Sequence, residues 1–203
     1  DPGESHPEWS RIASAPEVIY PLKQVITFDQ VNALDNWRFS DSTRSLPYIE
    51  DRQLVIDNSN NNSSVTISRN IAFNARQPLR FEAYIKSGFD RDSSGVILFF
   101  RNDARLEYFL LHRSTGMSFG STNEFRPYTI LPVPKAELGE TVRMSIEQYR
   151  DRLYYTLNDR LVYVNHASLP SSDSLIFGIS LQSQTTAKID SLIIFGSGSP
   201  PVQ

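Results

Sequence analysis

Along much of the chain, apolar and polar residues alternate with a period of two. In Phe81-Glu82-Ala83-Tyr84-Ile85-Lys86, Phe81, Ala83 and Ile85 fall on one side, and Glu82, Tyr84 and Lys86 on the other. Val142-Arg143-Met144-Ser145-Ile146-Glu147-Gln148 alternates as cleanly. A pleated strand sends successive side chains to opposite faces, so the pattern predicts strands with one face buried. Val96–Arg101 and Tyr108–His112 are apolar on both faces and predict central strands. Further strands are expected at Val25–Phe28, Trp37–Phe39, Leu54–Asp57, Val65–Ser68, Leu153–Leu157, Leu161–Val164, Leu175–Leu181 and Ile189–Phe195.

The connections agree. Asn158-Asp159-Arg160 and Arg150-Asp151-Arg152 sit between strand patterns as short hairpin turns. The stretch from Asp57 to Ser64 is rich in Asn and Ser and reads as a loop. Gly116 and Phe119-Gly120-Ser121 read as turns, and Pro127, Pro132 and Pro134 bracket an extended crossing segment. Convincing amphipathic helices are absent; short helical turns are expected only near Gln30–Ala33 and Lys135–Leu138. About a dozen strands in one body predict an all-β, two-sheet sandwich.

Composition narrows the setting. Pro2, Pro7, Pro16 and Pro21 break regular structure at the start, and Gly196-Ser197-Gly198-Ser199-Pro200-Pro201 reads as a linker. The expected organisation is an arm or linker over 1–21, a sandwich domain over 22–196 and a C-terminal linker over 197–203. That pattern suggests a module of a longer polypeptide. There is no cysteine, hence no disulfide and no thiolate metal site. The net charge of −3 leaves no electrostatic footprint for nucleic acid. No apolar run approaches the roughly 18 residues of a membrane helix. His6, His112 and His166 are scattered and match no ligand spacing or catalytic triad.

The order of segments resembles the concanavalin A-like lectin and glucanase superfamily, which includes laminin-G-like modules. Phe28-Asp29 followed by Trp37 is similar to its opening strand. Glu50 to Ile56 resembles the strand that follows a glycine turn, with Arg52-Gln53 where glycine is common. Gly95 to Arg101 resembles a central strand, Tyr154 to Val162 a hairpin with Asp159 in place of glycine, and Ile189 to Ile194 the closing strand. The resemblance implies an antiparallel jelly roll. It also implies a structural calcium tying the first and last strands, for which Asp29 and Asp190 are the candidates, with Asp90-Arg91-Asp92 and Asp57–Asn60 as loop-borne alternatives.

Glycan hydrolysis on this fold requires two carboxylates spaced along a strand, as in E-x-D-x-x-E. No such motif occurs, and Glu82, Glu107 and Glu147 would have to meet across a sheet. Sugar binding instead needs aromatic faces and planar polar groups. The candidates are Tyr84, Tyr149 and Tyr154, with Arg101, Arg143, Glu107 and Glu147 between them. The bland alternative is that these tyrosines are ordinary sheet formers and the charges are cross-strand pairs. The expected function is a non-catalytic recognition module for a glycan or a protein surface. It would belong to a larger extracytoplasmic protein, of bacterial type, in the periplasm, at the cell surface or secreted. The alternatives are a glycoside hydrolase and an architectural protein–protein interaction domain.

Overall fold

The computed structural model describes residues 15–40, 47–72, 78–89, 91–101, 106–121, 124–131, 139–165 and 174–196. The parts of the arm and linker over 1–14 and 197–203, and the segment 132–138, lie outside them. The strands are β1 (Leu22–Thr27), β2 (Arg38–Phe39), β3 (Tyr48–Glu50), β4 (Gln53–Asn58), β5 (Val65–Ala72), β6 (Leu79–Phe89), β7 (Gly95–Arg101) and β8 (Leu106–His112). They continue with β9 (Gly116–Ser121), β10 (Glu124–Leu131), β11 (Thr141–Tyr149), β12 (Arg152–Leu157), β13 (Arg160–Asn165), β14 (Ser174–Leu181) and β15 (Thr185–Gly196). A single 3-10 turn, Val31–Leu34, is the helical element among the described residues. No helix there is long and apolar enough to cross a membrane.

All pairings are antiparallel, in two sheets. The first has the order β13-β12-β11-β6-β15-β4-β3, with β1 also on β15; the second is β10-β9-β8-β7-β14-β5-β2. The alternating segments put one face of each sheet into a shared core. Phe81, Ala83 and Ile85 of β6 and Val142, Met144 and Ile146 of β11 meet Leu98 and Phe100 of β7 and Phe177 and Ile179 of β14. Phe81 stacks on Phe177 at 5.2 Å between centroids and also contacts Phe100. Tyr155 meets Phe109 and Phe119 at the other end of the core.

Local chemistry sets the turns. Asp51 and Arg52 both have positive φ, as do Asn158 and Asp159, which suits two-residue hairpins to the twist of their strands. In β15 the register shifts between Ile189 and Ser191, so Asp190 is a bulge residue. The bulge resets the alternation: Ala187 and Ile189 face inward before it, Leu192 and Ile194 after it.

Several expectations need correction. Gly116–Ser121 is not a set of turns but strand β9. Pro127 lies in β10, at the sheet edge and inside a register irregularity, where its missing N–H costs no regular ladder bond. Tyr48–Glu50 adds a short strand not anticipated. In the Asn-rich loop, Asn58 is fully buried and its amide donates to the Ser63 and Gln182 carbonyls at 2.8 and 3.0 Å. One Asn of that loop is therefore a core staple.

Candidate functional site

The sandwich has two outward faces, and the residues selected from the sequence divide between them. Tyr84, Arg143, Glu147, Tyr149 and Tyr154 lie on the first sheet's outward side, where β6, β11 and β12 run together. There Tyr84, Arg143, Glu147 and Tyr149 each have a side-chain partner. Arg143 Nη1 donates to the Tyr84 hydroxyl at 3.2 Å, and its guanidinium also pairs with Asp159. Arg80 pairs with Glu82 at 2.5 Å, and Ser145 and Thr156 share a hydrogen bond. The Tyr20 hydroxyl, from the segment leading into β1, donates to Glu147 Oε2 at 2.5 Å. Its ring packs on Phe195. Glu147 is 2% exposed and Tyr154 7%. Tyr149 is half-buried with the Arg150 guanidinium over its ring.

Burial pushes the Glu147 carboxyl above the usual glutamate range; the Tyr20 hydrogen bond and Arg80 oppose the shift, and Glu82 adds to it. The Tyr20 hydroxyl is itself held protonated by burial and by Glu147. A carboxyl with a raised folded-state pKa stabilises the fold below its unfolded pKa, and that contribution is lost as pH rises through the folded value. Glu147→Gln should therefore gain stability relative to wild type as pH rises from the acid range to neutrality. Thermal melts of both proteins across that range check it, and a pH-independent difference would contradict it.

Glu107 requires correction. It does not sit on a polar face: on β8 the inward set is Glu107, Phe109 and Leu111, and Glu107 is fully buried. The Tyr155 hydroxyl, from the opposite sheet, donates to its Oε2 at 3.5 Å. Glu107 thus lies inside the sandwich, whereas Glu82 and Glu147 lie on the far side of the first sheet. Sheets stack about 10 Å apart, so the three carboxylates do not form one acid–base site.

Arg101 is the one selected residue on the second sheet's outward face, and there the structure shows a groove of about 740 Å³. The register arranges its floor in rows. One row runs Arg38–Ser68–Gly178–Phe99–Tyr108–Gly120 from β2 to β9. Beside it run Thr66–Ser180–Ile97–Leu110 on one side and Arg101–Leu106 on the other. Phe99 and Tyr108 are cross-strand partners that lean apart, each over a glycine. A Cβ at Gly178 would lie 2.9 Å from Phe99 Cζ, and one at Gly120 would lie 2.7 Å from Tyr108 Cζ. Missing side chains at 178 and 120 let both rings spread over the sheet rather than stand up from it. Phe99, 6% exposed, forms the floor and Tyr108 is half-buried. The Thr66 and Ser180 hydroxyls, bonded to each other at 3.0 Å, make a polar flank.

Sequence reasoning missed these residues because Phe99 and Tyr108 lie in segments apolar on both faces. The available signal was two glycines within strand-like stretches, Gly120 and Gly178. His112, the last residue of β8, lies beyond the groove's end with its ring satisfied by the turn that follows. Its Nδ1 accepts from the Ser114 and Thr115 N–H groups, each at 3.2 Å, and burial lowers its pKa, against a smaller opposing effect of Asp92.

No family model matches the sequence, and no curated protein matches it significantly. Solved structures do match. The carbohydrate recognition domain of Emp46p, potassium-bound, aligns with a TM-score of 0.64 at 11% identity, covering 86% of this chain and 98% of that one. The Crh5 transglycosylase in complex with NAG aligns at 0.66 and 12% identity, covering 88% and 85%. A galectin-like protein of unknown function from Bacillus subtilis aligns at 0.64 and 8%, covering 87% and 96%. The chain has the concanavalin A-like jelly-roll fold.

Emp46p is described in potassium-bound and metal-free forms. In this chain, Asp29 and Asp190, the expected calcium ligands, each have another side-chain partner. Calcium takes six to eight oxygen ligands. Asp29 faces the Arg52 guanidinium at 3.6 Å, and Asp190 is the exposed bulge residue accepting from the Ser191 hydroxyl at 3.4 Å. No cluster of three or more His, Asp or Glu fit for a metal exists among the described residues. Asp57 is held below the usual carboxylate range by the Ser59 hydroxyl and N–H, the chemistry of a side-chain-capped turn. Asp90 lies outside the described residues.

Proposed function

We propose that this chain is a non-catalytic glycan-binding module whose ligand lies along the groove on the second sheet, over Phe99 and Tyr108. The observation that carries the reading is the pair of rings spread over Gly178 and Gly120. Such rings offer apolar faces to the C–H side of a sugar. The Thr66 and Ser180 hydroxyls and the guanidinium groups of Arg38 and Arg101 stand beside them to meet sugar hydroxyls. Among the described lining residues there is no Asp or Glu, which favours binding over glycoside hydrolysis, since a hydrolase needs a carboxylate pair at the bond it cleaves. A setting outside the cytoplasm, as part of a longer polypeptide, goes with this ligand class. A bound metal forms no part of the reading.

Affinity gel electrophoresis against a panel of soluble polysaccharides tests it. At least one polysaccharide should retard the wild-type protein, with no release of reducing sugar. Tyr108→Ala should weaken that binding by about 30-fold, as expected for loss of a central aromatic anchor worth about 2 kcal/mol. Tyr84→Ala, on the opposite face, should leave it unchanged. Loss of binding in Tyr84→Ala with retention in Tyr108→Ala would move the ligand to the first sheet and overturn the proposal, as would no retardation by any member of the panel.

A further inference from the structure

We infer that the groove takes an anionic polysaccharide, a chain bearing carboxylate or sulfate groups along its length; this rests on the glycan-binding reading of the same groove. Arg38 and Arg101 are the charged side chains among its described lining residues. Four arginines outside the groove are ion-paired: Arg52 with Asp29, Arg80 with Glu82, Arg113 with Asp92 and Arg143 with Asp159. Arg38 and Arg101 are exposed and make no ion pair among the described residues; Arg91 and Arg150 share that state but lie outside the groove. In a chain with 23 acidic residues against 20 basic ones, two unpaired guanidinium groups in a groove lined by no described carboxylate stand against the overall charge.

Their placement is as informative as their sign. Arg38 is on β2, at the sheet edge, and Arg101 ends β7, with β5 and β14 between them. Three strand spacings set them about 14 Å apart across the sheet. Arg38 shares the row of Phe99 and Tyr108, and Arg101 lies one row aside. A chain lying over the rings would bring one guanidinium to each of two separated points. A single monosaccharide would not span them; a polymer with repeating anionic groups does. The planar fork of each guanidinium matches a carboxylate or a sulfate through two parallel hydrogen bonds, which an ammonium group cannot reproduce.

The experiment compares polygalacturonate with its fully methyl-esterified form, dextran sulfate with dextran, and laminarin as a further neutral chain, using the intact protein in affinity gels. Polygalacturonate or dextran sulfate should retard the protein, and which of the two does so tells carboxylate from sulfate recognition. Esterification should remove binding to the first, and plain dextran should not replace the second. Arg38→Ala and Arg101→Ala should each weaken binding about tenfold, the cost of losing one charged hydrogen-bonding partner. Arg38→Lys should restore only part, and rising salt should weaken the complex. Neutral chains binding as well as anionic ones would overturn the inference while leaving the groove a glycan site. So would anionic binding that survives both arginine substitutions. If neither class binds, the glycan reading itself fails.

Discussion

Phe81→Ala is expected to lower stability by about 4 kcal/mol, the usual cost of truncating a buried phenylalanine. For a domain of this size that is a drop on the order of 10 °C in Tm. Phe81 is 2% exposed and sits where the two sheets meet. Its ring stacks on Phe177 and contacts Phe100, both from the second sheet. Removing the ring leaves a void bounded by strands from both layers. Neither layer can collapse into it, because β6 is hydrogen-bonded to β11 on one side and β15 on the other. Chemical denaturation should show a lower midpoint. A loss below about 1 kcal/mol would mean that the layers are not packed through this contact.

The second large effect is expected at Gly178. A Cβ there would lie 2.1 Å from the Ile67 carbonyl oxygen and 3.0 Å from Ser68 Cα, as well as 2.9 Å from Phe99 Cζ. The first two atoms are backbone of the neighbouring strand, so no side-chain rotation relieves them. Gly178→Ala must push β5 away from β14, across a register that runs from Val65↔Leu181 to Ala72↔Ser174. Overpacking of this kind costs about 3 kcal/mol. Gly120→Ala is the informative comparison. The three atoms nearest its Cβ belong to the Tyr108 ring, a movable side chain. It should cost little in stability yet lift Tyr108 off the sheet and weaken ligand binding. Melting temperatures and affinity gels on the two variants separate the roles. Equal destabilisation by both would refute the distinction.

Much of the architecture was legible along the chain, and the reason is local. Alternation in Phe81–Lys86 and Val142–Gln148 depends only on the two-residue repeat of a strand, which neighbours in sequence impose on themselves. The jelly-roll order followed from the resemblance and is confirmed by the pairing. Where legibility stopped, a distant partner was in control. Gly120 reads as a turn residue until Tyr108, across the β8–β9 ladder, is seen to lie over it. Glu107 reads as a surface charge until Tyr155, from the opposite sheet, is seen to meet it. Asp190 reads as a regular strand residue until the pairing of β15 with β6 shows it to be the bulge.

By itself, then, the order of residues determined that this is a two-layer β protein and which side chains share a strand face. It could not determine which outward-facing side chains are already engaged by distant partners. Tyr20, far away in the chain, donates to Glu147 and helps occupy the tyrosine-bearing face of the first sheet. Gly178 lies far from Phe99 in sequence but directly opposite it in the sheet, where it makes room for the ring. Strand parity is a property of adjacent residues, whereas a groove is made by register between strands, and that register exists only once the layers have packed.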